Sequence, residues 1–189
     1  MQEIPRLEHK YASFGKDLTL TGASAISGYA SLFGQPDQSG DVVQPGAYAA
    51  SLAALAAERR SVKMLWQHDP GQPIGVWDEV REDSRGLFVK GRILTNTAKG
   101  AEVAALIQAG AIDGLSIGYR TQKATRGADG ARQLCQVELW EVSLVTFPML
   151  PTARVTGKSS TAAADDNALR ALADGLRQIT RDLKTGQST

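Results

Sequence analysis

Late in the chain two long runs of strand-forming residues meet at a tight turn, and no other feature limits the possible folds as much. After the turn-forming pair Asp113-Gly114 comes LSIGYRTQKATR, then GADG at 127–130, then RQLCQVELWEVSLVTF. Long strand-like runs on either side of a Gly-Asp-Gly turn predict a β-hairpin. On a regular second strand Leu139, Glu141, Ser143 and Val145 share one face, and Trp140, Val142 and Leu144 share the other. Glu141 is flanked by residues that read as buried. A buried carboxylate without a partner is costly, so this one must find a partner in the fold.

Other elements can be placed around the hairpin. Residues 1–16 carry no clear period and suit an arm or a ragged first strand, residues 18–21 and 26–33 read as short strands, and GQPDQSGD at 34–41 reads as a loop. The run 46–60 places Tyr48, Leu52 and Leu55 at helical spacing, with Arg59 and Arg60 at the negative end of the dipole. Residues 61–67 are short and apolar and suit a buried strand, which leaves His68 at a strand end. Residues 74–81 and 87–93 alternate around the turn at 82–86 and predict a second hairpin. A second helix is expected over 97–109, closed by Gly110. Trp66, Trp77 and Trp140 are candidate core residues.

From about Ala153 the composition turns small and polar, as in a linker. Leu169, Leu172, Leu176, Ile179 and Leu183 then recur at intervals of three and four, which predicts an amphipathic helix with no partner inside its own linker. The expected domains are therefore 1–152 as a packed α+β unit and 153–189 as linker plus helix.

Composition narrows the function. The 189 residues suit one domain with a tail. Lys plus Arg at 21 against Asp plus Glu at 20 gives a net charge of +1, which provides no basic field for nucleic acid. Two histidines and one cysteine, Cys135, are too few for a Cys/His zinc site, so neither metal nor cofactor is expected. No run of about 18 apolar residues offers to span a membrane, and the polar start is unlike a secretory leader, so the expected location is cytoplasmic.

Taken one at a time, the motifs are weak. Gly114-Leu115-Ser116-Ile117-Gly118 matches G-x-S-x-G, but in the hydrolases that use that elbow the histidine follows the serine, whereas His9 and His68 both precede Ser116. Gly157-Lys158-Ser159 has Thr152 where a phosphate loop needs its first glycine. His68 alone reads as a solvated turn histidine. Together they say more: His68 ends a strand, Ser116 opens the hairpin and Glu141 faces inward on its partner strand. Attack by a serine needs a base, and the base needs an acceptor to fix its tautomer.

Four segments in order, GYASLFG with SGDVVQPGAY, MLWQHDPGQPIGVW, GLSIGYR and ELWEVSLVTFP, resemble the prohead maturation proteases of tailed phages and gene-transfer-agent particles, of the HK97 type. The resemblance covers about residues 28–153. It implies His68 as base and Ser116 as nucleophile. The herpesvirus assemblins, similar in fold, place a second histidine where Glu141 stands here, so the orienting role passes to Glu141, with Glu138 as runner-up. Thr146-Phe147-Pro148 stands where assemblins carry an arginine pair, which leaves the oxyanion donors unassigned. The implied fold is a closed, mostly antiparallel β-barrel with two or three packed helices. The implied activity is a serine endopeptidase inside the immature capsid, cutting the scaffolding region of the major capsid protein and itself, and self-associating, with no nucleic-acid or membrane partner. The rival expectation is a non-catalytic assembly factor that keeps the barrel and binds capsid protein through the tail.

Overall fold

The computed structural model describes residues 8–12, 19–21, 24–37, 39–128 and 130–146. All lie in the first of two compact units, Met1–Thr156. The expected linker and C-terminal helix fall outside the described residues.

Among the described residues nine strands form one sheet: β1 (Glu8–Ala12), β2 (Thr19–Thr21), β3 (Ala25–Leu32), β4 (Asp41–Val43), β5 (Lys63–Trp66), β6 (Asp69–Glu82), β7 (Gly86–Ile93), β8 (Gly114–Arg126) and β9 (Arg132–Val145). Helix α1 (Ala49–Ala57) lies between β4 and β5, and α2 (Ala98–Gln108) lies between β7 and β8. The ladder runs β1-β8-β9-β5-β6-β7-β3-β2, with β4 added beside β9. The sheet curls so that β3 approaches β1 and β8, yet no ladder joins them among the described residues. The architecture is therefore a curled, open α+β sheet in which a closed barrel is not seen. The pairings are antiparallel except for β4 and β5, both of which run parallel to β9.

Both expected hairpins are present, β6–β7 and β8–β9. Strand β6 starts earlier than its alternation suggested, because Trp66 pairs with Asp69 and makes His-Asp-Pro the start of a strand. Strand β4 begins at the last residue of the expected loop, where the sequence reading placed no strand. Three residues are too few to show a period, and Val42 and Val43 are instead drawn in by burial. Helix α1 is shorter than expected and ends at Ala57, so Arg59 and Arg60 lie beyond it, Arg59 with a positive φ and Arg60 paired with Glu58. Helix α2 begins where the Thr97 hydroxyl accepts the Gly100 N–H, and it ends before Gly110, whose φ of 71° takes the left-handed turn.

The core gathers the inward residues of β3, β7, β8 and β9 with Tyr48, Val103 and Ile107 from the helical segments. Trp77 joins it and donates its indole N–H to the Val142 carbonyl. Trp140 does not; it is exposed. The reason is a bulge. The β8–β9 register shifts between Gly118, opposite Glu141, and Tyr119, opposite Leu139, so Trp140 is the extra residue. The shift puts Leu139 and Val142 on the same core side, correcting the regular alternation expected for β9. Strand β9's other edge is filled piecewise: β4 covers 132–134, the Ala47 carbonyl and Ser51 hydroxyl accept the Val137 and Leu139 N–H groups, and β5 covers 141–144.

Among the described residues no helix is long and apolar enough to cross a membrane.

Candidate active site

The turn between β5 and β6 has only two residues, Gln67 and His68, and both have positive φ, 52° and 63°. That is the φ pattern of a type I′ hairpin turn, where glycine or asparagine is usual. Side chains in this region cost about 1–3 kcal/mol each unless the surroundings hold them. Here they do. The Gln67 N–H donates to the Leu144 carbonyl, the Gln67 side-chain amide bonds to Thr146, and the His68 N–H donates to Ser143 Oγ at 3.1 Å. The strained turn is thus anchored to β9 and delivers the imidazole onto it.

Glu141 meets it there. His68 Nδ1 lies 2.5 Å from Glu141 Oε1, and Ser143 Oγ donates to Oε2, also at 2.5 Å. Both carboxylate oxygens are engaged, which meets the demand of a side chain only 4% exposed. Because the carboxylate is an acceptor, the contact selects the tautomer with hydrogen on Nδ1 and the acceptor lone pair on Nε2. Gly118 makes room for this carboxylate. It is Glu141's cross-strand partner, and a Cβ at 118 would land on the Glu141 carboxyl group. The last glycine of the G-x-S-x-G match therefore serves the acid and not a nucleophile elbow.

Ser116 is two residues before Gly118, on the same face of β8, and is fully buried. Its cross-strand partner is Ser143, the hydroxyl that receives the His68 N–H. The fold thus brings the three residues singled out in the sequence to one face of neighbouring strands, with His68 and Glu141 in direct contact. Glu138 lies on the other side of the bulge and is bonded by Gln122. Ser143 and Gly118 are the site residues that sequence reasoning passed over. The available signal was a small polar residue two positions from an inward acid on an otherwise apolar strand. Among the described residues, no group of three or more His, Cys, Asp or Glu side chains could hold a metal ion.

The arrangement can polarise a hydroxyl through an oriented imidazole. Comparison with known proteins agrees in kind. The model of a family described as Caudovirus prohead serine protease matches residues 14–167. The prohead protease of Enterobacteria phage HK97 is 32% identical over 138 residues, 71% of this chain. The chain spans 60% of that relative's length. The structure of the bacteriophage T4 capsid assembly protease superposes with a TM-score of 0.60 at 16% identity, covering 76% of this chain and 99% of that one. That last likeness is one of fold.

Proposed function

The chain belongs to the Caudovirus prohead serine protease family, and on that premise we propose that it is an endopeptidase with Ser116 as nucleophile, His68 as general base and Glu141 orienting the imidazole. The observation that carries this reading is the 2.5 Å contact between His68 Nδ1 and Glu141 Oε1, made on the sheet face that Ser116 shares.

In the proposed reaction Nε2 of His68 takes the Ser116 proton as Oγ bonds to the scissile carbonyl carbon. The tetrahedral adduct collapses, the C–N bond breaks and His68 returns the proton to the leaving amine. Water, deprotonated by the same imidazole, then releases the acyl group. Glu141 stays ionised throughout and stabilises the imidazolium. Ser116 is buried.

The substrates proposed are the scaffolding region of the major capsid protein and the protease itself, cut inside the prohead within the host cell. The names of the relatives, a prohead protease and a capsid assembly protease, support this. Co-expression of the full chain with its capsid protein tests it. Ser116→Ala is expected to abolish cleavage while leaving the circular dichroism spectrum unchanged, and a serine-directed phosphonate is expected to label the wild type alone. Cleavage that persists in Ser116→Ala overturns the assignment, and the absence of both cleavage and labelling in the wild type favours a non-catalytic assembly factor.

A further inference from the structure

The face of β8 that carries Ser116 does not end at Gly118. Leu115, Ile117 and Tyr119 belong to the core, so alternation places Ser116, Gly118 and Arg120 on the opposite side. There Arg120 meets Trp140, the bulged residue of β9, with its guanidinium carbon 4.5 Å from the ring centroid. The bulge that sets Glu141 against Gly118 also turns this indole outward, beneath the arginine.

Arg120 is held in place without being neutralised. Its Nε is buried and has no hydrogen-bond partner. Its cross-strand partner Glu138 is engaged by Gln122, and Arg120 forms no ion pair among the described residues. A buried donor left unused costs about 1–3 kcal/mol, and a guanidinium is built to take a carboxylate through two parallel N–H groups. Stacking on an aromatic ring fixes the plane of that fork in advance.

We infer that Arg120, seated on Trp140, is a substrate subsite that receives an acidic side chain of the peptide being cut. The inference rests on the protease reading above. It adds a specificity determinant that the three proposed catalytic groups do not provide. Four residues of strand separate Ser116 from Arg120, about 13 Å at roughly 3.3 Å per residue. An extended peptide crosses the same span in as many residues, and the reach of the arginine and of the acidic side chain toward each other shortens it, so the recognised acid lies two to four positions from the scissile bond. Beside Arg120 on the neighbouring strand, Glu138 lines a shallow groove with Gln122, Gln136 and Ser51.

The test uses the full-length chain and a pool of defined twelve-residue peptides, with cuts located by mass spectrometry. The best substrate is then remade with each nearby Glu or Asp changed to its amide. One such change, two to four residues from the cut, is expected to lower kcat/KM at least tenfold. In Arg120→Gln the acid and amide peptides are expected to be cut at rates within about twofold of each other, and Arg120→Lys is expected to keep part of the preference. This ratio does not depend on how much of a variant is folded. An acid preference that survives in Arg120→Gln, or its absence from the wild type while Ser116-dependent cutting persists, overturns the subsite alone. If the wild type cuts no peptide that Ser116→Ala spares, the protease reading fails and the subsite with it.

Discussion

Glu141, beneath the surface of the sheet, and Asp83, at its rim, each accept hydrogen bonds from more than one partner, and they behave differently. Glu141 is buried and touches His68 and Ser143. Asp83, in the β6–β7 turn, accepts from the Tyr29 hydroxyl at 2.8 Å, from Arg81 at 2.7 Å and from the backbone N–H groups of Arg85 and Gly86. Arg85 lies over the Tyr29 ring and Arg81 over Phe88, so the rim cluster is tied together by ring contacts as well as by charge. At the rim, water can replace any lost donor. Beneath the surface it cannot, so each partner of Glu141 is specific in position and costly to remove. The same chemistry thus closes a turn in one place and sets a tautomer in the other.

The largest effect is expected from Glu141→Gln. An amide can offer its N–H to His68 Nδ1 and stabilise the wrong tautomer, so cleavage should fall on the order of a thousandfold or more while the protein stays folded. Rates measured on purified protein check this, and a variant within tenfold of wild type would break the proposed link between Glu141 and the imidazole.

Gly118→Ala is expected to act next most strongly, and on the same carboxylate. The added methyl lands on the Glu141 carboxyl group, in a strand flanked by β9 and β1. Overpacking of this kind costs about 1–3 kcal/mol, read as a lower denaturation midpoint, and displaces Glu141 enough to lower kcat with little change in KM. Unchanged kinetics would mean that the site tolerates a carboxylate shift.

The smallest effect, and the sharpest contrast, is expected at the rim. For Asp83 desolvation pushes the carboxyl pKa up, but donation from the Arg85 N–H, the Tyr29 hydroxyl and Arg81 outweighs it and holds the pKa at about 2. The same hydrogen bond from its hydroxyl to Asp83 raises the Tyr29 pKa. A depressed folded pKa stabilises the fold above the ordinary value of 3.8, and that contribution fades as pH falls from about 4 through 2. Asp83→Asn should therefore flatten the stability profile across that window. It should cost under about 1 kcal/mol at neutral pH, because exposed charge pairs are worth little, and should leave cleavage unchanged. Equilibrium unfolding between pH 2 and 7 measures it.

Local patterns revealed more of the scaffold than of the site. The β8–β9 and β6–β7 hairpins and helix α2 could be placed from periodicity and turn residues, because alternation, a glycine-rich turn and a glycine that closes a helix act over a few neighbouring residues. Strand β4 and the early start of β6 could not, since three valine-rich residues and a His-Asp-Pro sequence carry no period of their own. The pairing of His68 with Glu141 lay between the two. The family resemblance pointed to His68 and Ser116, and the inward acid was visible on β9, but nothing local showed that Gln67 and His68 fold into a two-residue left-handed turn.

What the sequence determined by itself is the two hairpins and the two helices, the class of chemistry its residues permit, and the presence of an acid that had to be paired. Tertiary structure alone decided which acid faces the imidazole. One extra residue at Trp140 separates Glu138 from Glu141 across the bulge, and the parallel pairing of β5 with β9 sets where the His68 turn lands. Both depend on contacts between segments distant in the chain, where burial and hydrogen-bond satisfaction outweigh the local preference for regular alternation.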